Sequence, residues 1–159
     1  MLQSINLPGC NFIKYKQLFD TVRASYSPFT LKIIIMTKIL FDRLGGTPGI
    51  TTIVNDVVEA HMNNPAISAR FLPYKEQPER LAVIKQHTID FFSAGSGGPV
   101  TYGGRDMPTT HKGMNINPTE YMHVVDDILQ VLDKHNADDE SKKDVLAILW
   151  SLKDMIISK

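Results

Sequence analysis

The chain has 159 residues, enough for one hydrophobic core and short for two. Its 43% hydrophobic and 21% charged content is that of an ordinary globular domain. Lys plus Arg and Asp plus Glu number 17 each, so there is no basic field to attract nucleic acid or anionic lipid as a main partner.

Residues 1–35 differ from the rest of the chain. They hold Lys14, Lys16, Arg23 and Lys32 against one acid, Asp20, with no sustained periodicity. They are expected to be an N-terminal extension, disordered or organelle-targeting, ahead of a domain opening at Met36 and spanning 36–159. The single cysteine, Cys10, excludes an intramolecular disulfide and fits a reducing, cytoplasmic setting. No apolar run approaches the roughly 20 residues a membrane-spanning helix needs.

From Lys38, ILFDRLGG predicts a short helix stopped by Gly45-Gly46. Thr47-Pro48 starts a second helix, Thr47 as N-cap and Pro48 in the first turn. Its stripe is Ile50, Ile53, Val54, Val57, Val58, His61 and Met62, which places His61 at least partly inside. Asn63-Asn64-Pro65 breaks it. AISARF reads as a turn bringing in Phe71, and LPYKEQP as a connector. After Pro78 a third helix presents Leu81, Ile84, Thr88, Phe91 and Phe92 on one face, with His87 at its edge. Residues 95–116, GSGGPVTYGGRDMPTTHKGMNI, are a glycine-broken loop with His111 on a short turn near its end. Asn117-Pro118 caps a fourth helix with Glu120 at its start and Tyr121, Val124, Val125, Ile128, Leu129 and Leu132 inside. Asp138-Asp139-Glu140 opens the last helix, whose apolar side is Val145, Leu146, Ile148, Leu149, Leu152, Met155 and Ile156. The expected fold class is all-α.

Convergent carboxylates for acid–base catalysis are not expected: the acids fall on solvated faces or at helix starts, none on an apolar stripe. There is no HExxH or CxxC spacing, and the glycine runs lack the Lys-Ser/Thr of a phosphate loop. What remains is His111, facing a helix that offers His87 and Thr88, with Phe71, Phe91, Phe92, Met107 and Tyr121 as apolar lining. A flat apolar cofactor ligated by one neutral imidazole suits that set. An isolated histidine is more often a plain surface or core residue, and a helical interaction domain without cofactor is the alternative.

The pieces LGGTPGI, RF at 70–71, FFSAGSGGPVTYGGRDM and THKGMNI stand in the order of a known family and cover nearly all of 36–159. The chain resembles a truncated haemoglobin of the first group, a globin-like two-over-two helical sandwich. The resemblance implies haem b (protohaem IX), with His111 as the proximal iron ligand and Phe71 as the ring against the porphyrin. Phe91 and Phe92 correspond to the aromatic pair beside the haem, and Tyr102, Met107, Ile116 and Tyr121 to pocket-wall positions. Arg105 and Lys112 are candidates for the haem propionates.

The departures from the family bear on mechanism. Where the family has Phe-Tyr in the second helix, with the Tyr hydroxyl donating to the bound gas, this chain has Val57-Val58. The family's distal glutamines align with Ile84 and Thr88, leaving a distal pocket of Val58, His61, Ile84 and Thr88 with one hydroxyl. Each lost donor is worth roughly 1 kcal/mol, which implies faster oxygen release and easier oxidation to the ferric state. The connector between Phe71 and His87 is longer than is usual in the family. His87 aligns with a position from which a cyanobacterial relative supplies a second histidine, so it is a candidate sixth ligand; facing solvent or a propionate is the alternative. His123 and His135 read as helix-surface residues.

The function this implies is reversible binding of dioxygen, and of nitric oxide and carbon monoxide. Nitric-oxide dioxygenation, which needs an external reductase, is one possible role. A six-coordinate haem sensor or electron-transfer protein is the alternative from another class.

Overall fold

Seven α-helices account for most of the computed structural model, which describes residues 38–159. The expected extension 1–35, with Cys10, and the expected domain start at Met36 lie outside the described residues.

Helix α1 (Leu40–Arg43) turns into α2 (Gly46–Asn63) through Gly45, whose φ of 85° is the left-handed conformation that glycine adopts without a steric penalty. Gly45, not Thr47, is therefore the N-cap of α2. The turn is so tight that a Cβ on Gly49 would lie 2.0 Å from the Leu44 carbonyl oxygen. The seven residues of the expected α2 stripe, Ile50 to Met62, are its seven buried residues.

AISARF is not an open turn. Ser68–Phe71 closes as a one-turn helix, α3, and Leu72–Glu76 continues as a 3₁₀ segment. Helix α4 (Pro78–Gly95) starts on Pro78, where a missing N–H costs nothing. The long loop is interrupted by α5 (Met107–His111), capped by the Asp106 carboxylate accepting from Thr109 N–H at 2.7 Å. Helix α6 (Pro118–Lys134) opens with a full capping box: the Asn117 side chain accepts from Glu120 N–H, and Glu120 Oε2 from Asn117 N–H, both at 2.9 Å. Helix α7 (Asp139–Ile156) is capped by Asp138, which accepts from Ser141 N–H.

Helix α2 packs against α4 in one layer and crosses α6, which pairs with α7 in the other. This is a two-over-two sandwich. Its core runs along α2, α6 and α7, with Ile50, Val54, Val125, Leu132 and Val145 at 1–2% exposure. Burying such side chains contributes roughly 1.5–3 kcal/mol each.

Two stripes differ from expectation. On α6, Asp127 and Val131 are buried while Val124 and Leu129 are only half-buried, so one acid, contrary to expectation, does fall on an apolar stripe. On α7 the buried set is Ser141, Val145 and Leu149, whereas Leu146 and Met155 are exposed. Among the described residues that helix is covered by α6 and α1, and α5 sits beside it. His135 is half-buried, its Nε2 2.8 Å from Asp56 Oδ2 on α2, rather than free on the surface.

Candidate functional site

His111 ends α5 and is half-buried. Its Nδ1 lies 2.9 Å from the Met107 carbonyl oxygen one turn back. That oxygen can only accept, so Nδ1 carries the proton and Nε2 keeps its lone pair, the state of a metal-ligating imidazole. The next residues form a tight turn. Met114 N–H donates to the His111 carbonyl at 3.0 Å, Lys112 has φ −56° and ψ 125°, and Gly113 has φ 80°. These are type II turn angles, and the third position of that turn requires a positive φ. The C-terminal residues close over it: Gly113 and Asn115 N–H both donate to the Lys159 carbonyl, and Ser158 N–H to that of Ile116.

Helix α5 rests on α7 and α4 rests on α2, while α4 and α5 make no substantial contact with each other. The α4 face expected to be apolar, Leu81, Ile84, Thr88 and Phe91, is only half-buried. What α4 buries fully is Ile89 and Ser93, about one residue step around the helix, against α2. Phe91 stands edge-on to Tyr102 at 5.3 Å and to Phe92 at 6.4 Å. The Tyr102 hydroxyl donates to the Arg105 carbonyl, which fixes the ring in the loop before α5. Leu72 and Val83 are exposed near α4's first turns and Met114 beyond His111. These half-open apolar side chains, with one imidazole lone pair, fit a flat apolar group held by iron.

The other expected site residues fall in several environments. Phe71 is half-buried and stacks on His61, ring centres 4.9 Å apart. Val58 is buried and Met107 half-buried. Ile116 and Tyr121 belong to the closed core, and the Tyr121 hydroxyl donates to the Leu149 carbonyl of α7, so that phenol is committed to structure. Burial pushes its pKa up. Thr88 Oγ donates to the Ile84 carbonyl at 2.9 Å, so its proton is not free for a bound molecule. His87, Arg105 and Lys112 are exposed.

Sequence reasoning missed two groups. One is a buried pair with a half-buried amide beside it: His61 Nδ1 lies 2.9 Å from Asp127 Oδ2, and Asn64 donates to Asp127 Oδ1 at 2.9 Å. Burial lowers the His61 pKa, opposed by Asp127. The other is Arg70, whose Nε and Nη2 reach the two Glu120 oxygens at 2.6 and 2.8 Å while Nη1 donates to the Met114 carbonyl at 2.8 Å. This fork, with the Asn117 N–H, holds the Glu120 carboxyl below its usual range, and Glu120 raises that of Arg70. The only available signals were adjacency to Phe71 and, for Asp127, a spacing of seven from Glu120. A separate cavity of about 240 Å³, lined by Arg43, Leu44, Gly49, Ile53, His135 and Asn136, lies at the α1–α2 turn.

Comparison with known proteins agrees with this architecture. The family described as bacterial-like globin matches residues 39–158. The chain is 23% identical over 120 residues to the group 1 truncated hemoglobin GlbN of Nostoc sp. (strain MUN 8820), covering 76% of this chain and 98% of that one. Among solved structures it is similar to the truncated hemoglobin of Tetrahymena pyriformis, with a TM-score of 0.68, 17% identity, and coverage of 77% of this chain and 100% of that chain. It is similar also to the group II truncated hemoglobin of Bacillus anthracis, with a TM-score of 0.65, 19% identity, and coverage of 77% and 92%. The chain therefore belongs to the bacterial-like globin family and is a haem-binding truncated globin.

Proposed function

We propose that the chain is a first-group truncated haemoglobin that holds protohaem through His111 Nε2 and reversibly binds dioxygen, nitric oxide and carbon monoxide. The observations that carry this reading are a proton-committed His111 Nδ1 and an apolar face of α4 that, among the described residues, is left half open. Bound haem would supply an iron able to take up a diatomic gas. The protein's own part is to hold and shield it. His111 is oriented by the Met107 carbonyl, and Phe71 is braced from behind by His61. Half-buried Ile84, Phe91 and Phe92 would keep water from it, and the exposed cations Arg105 and Lys112 would pair with its propionates.

On the distal side, Val58 and Ile84 offer no donor, Thr88 directs its hydroxyl proton to the Ile84 carbonyl, and His61 is engaged through Nδ1 with Asp127. The pocket is therefore poor in hydrogen-bond donors, which favours fast ligand release over long retention. That composition supports gas binding and exchange. Nitric-oxide dioxygenation would require electrons from an external reductase.

The exposed position of His87 favours the open distal pocket over a second histidine ligand. The test is the absorption spectrum of the ferrous and ferric protein beside His111→Ala and His87→Ala. The expected result is loss of stable haem in His111→Ala and an unchanged spectrum in His87→Ala. Haem retained in His111→Ala would overturn the proximal assignment. Low-spin bands that vanish in His87→Ala would establish His87 as sixth ligand and favour the sensor or electron-transfer reading.

A further inference from the structure

We infer that Arg70 is a positioning residue for the haem iron, acting through the turn after His111; this rests on His111 being the proximal ligand. The turn His111–Met114 has little of its own to hold it. Lys112 to Asn115 are all exposed, and its internal bond is the single one from Met114 N–H to the His111 carbonyl. It is gripped from two sides instead. The Lys159 carbonyl takes the N–H groups of Gly113 and Asn115, and Arg70 Nη1 takes the Met114 carbonyl.

Arg70 can bear that load because its remaining donors are fixed. Nε and Nη2 form a two-point fork with Glu120, and Glu120 is itself locked by the Asn117 capping box at the start of α6. A planar guanidinium satisfies three acceptors in one fixed geometry, whereas a lysine ammonium at this position cannot hold the fork and the carbonyl together. The same residue sits one position before Phe71, which stacks on His61, and His61 is tied to Asp127 two turns further along α6. One side chain thus links the turn carrying the proximal imidazole to the ring expected to face the porphyrin. The orientation of the His111 ring is thereby set partly from α3.

The experiment uses the full chain loaded with haem, comparing wild type, Arg70→Lys, Arg70→Ala, Glu120→Gln and His111→Gly. Resonance Raman of the ferrous protein reads the iron–histidine stretch, and transfer of haem to apomyoglobin reads its dissociation. Both Arg70 variants are expected to shift or broaden the stretch and speed haem loss by about 10–100-fold, as losses of support around a metal ligand do. Glu120→Gln, which keeps the cap and one acceptor, should fall between them and wild type. Thermal melting of the haem-free proteins separates positioning from bulk stability: Arg70→Lys should melt near wild type and still show the shifted stretch.

An unshifted stretch and wild-type haem loss in both Arg70 variants would overturn the inference. If the stretch survives in His111→Gly, the proximal assignment itself fails, which is a different result from an Arg70 variant that leaves a His111-dependent stretch unmoved.

Discussion

Helices α4 and α6 are nearly equal in length, 18 and 17 residues, and each carries an apolar stripe, yet they are buried very differently. Helix α6 buries Tyr121, Val125, Asp127, Ile128, Val131 and Leu132; α4 buries Ile89 and Ser93 alone. The polypeptide covers α6 from both sides, with α2 across it and α7 beside it. Among the described residues α4 is covered mainly by α2, and Leu81, Ile84, Thr88 and Phe91 are left half open, turned away from buried Ile89 and Ser93. An amphipathic pattern shows only that a face is buried, not by what. In this globin the closed half is completed by protein, and the half-open stripe is where the proposed haem site lies.

The sharpest way to break that comparison is a matched pair of truncations. Leu132→Ala, at a site 1% exposed, should destabilise the haem-free protein by about 2–5 kcal/mol. Its cost should be the same with haem bound. Ile84→Ala should cost the haem-free protein less than half as much and become expensive only on haem loading. Denaturant melts of both variants, with and without haem, check this. If Ile84→Ala costs the same in the two states, its face is not the cofactor's.

What was legible in the chain divides along the same line. The α2 stripe was read completely because every member is covered by protein, so a 3.6-residue period maps directly onto burial. The Asn117–Glu120 capping box was read because its chemistry is local, four consecutive residues answering each other's backbone. Helix α5 was missed because five residues closed by an Asp cap carry no periodic signal inside a glycine-rich loop. Asp127 was assigned to the solvated side because nothing along the chain announces a partner 66 residues earlier. Arg70 was missed for the same reason: its three acceptors lie 44 and 50 residues away. His111 was singled out from its neighbours in the loop and by family resemblance, and no periodicity argument would have found it.

A smaller effect tests the seam between the halves. His61 sits behind Phe71 with its pKa lowered by burial and partly restored by Asp127. The unfolded chain therefore takes up a proton at this residue at a higher pH than the folded one, so unfolding becomes easier as pH falls. The penalty is absent above the unfolded value of 6.5, grows as pH falls below it, and levels off once the folded pKa is passed. Haem-free protein melted at about pH 7.5 and pH 5.5 should show a drop in Tm that is smaller in His61→Gln. An equal drop in the variant would place the acid sensitivity elsewhere. The Glu120 carboxyl, also lowered, acts in a separate and more acidic window, below its ordinary value of 4.5.

The smallest expected effect is at Thr88, and it is small for a structural reason. A free hydroxyl beside the gas would stabilise it, and removing that donor would raise the ligand dissociation rate by roughly the worth of one hydrogen bond, about 1 kcal/mol or several-fold. Here the hydroxyl proton is directed one turn back to the Ile84 carbonyl, as threonine commonly does within a helix. The oxygen is left as an acceptor, which a bound dioxygen has no proton to satisfy. Thr88→Val keeps the shape of the side chain and removes only that internal bond, whose carbonyl is already served by the helix. Stopped-flow dissociation of oxygen should therefore differ from wild type by less than about 1 kcal/mol, under fivefold. A larger acceleration would mean that Thr88 rotates its proton toward the ligand when the site fills. The open half would then rearrange on binding, whereas the closed half, with the Tyr121 hydroxyl and the Asp127 and Glu120 carboxylates of α6 already paired, would not.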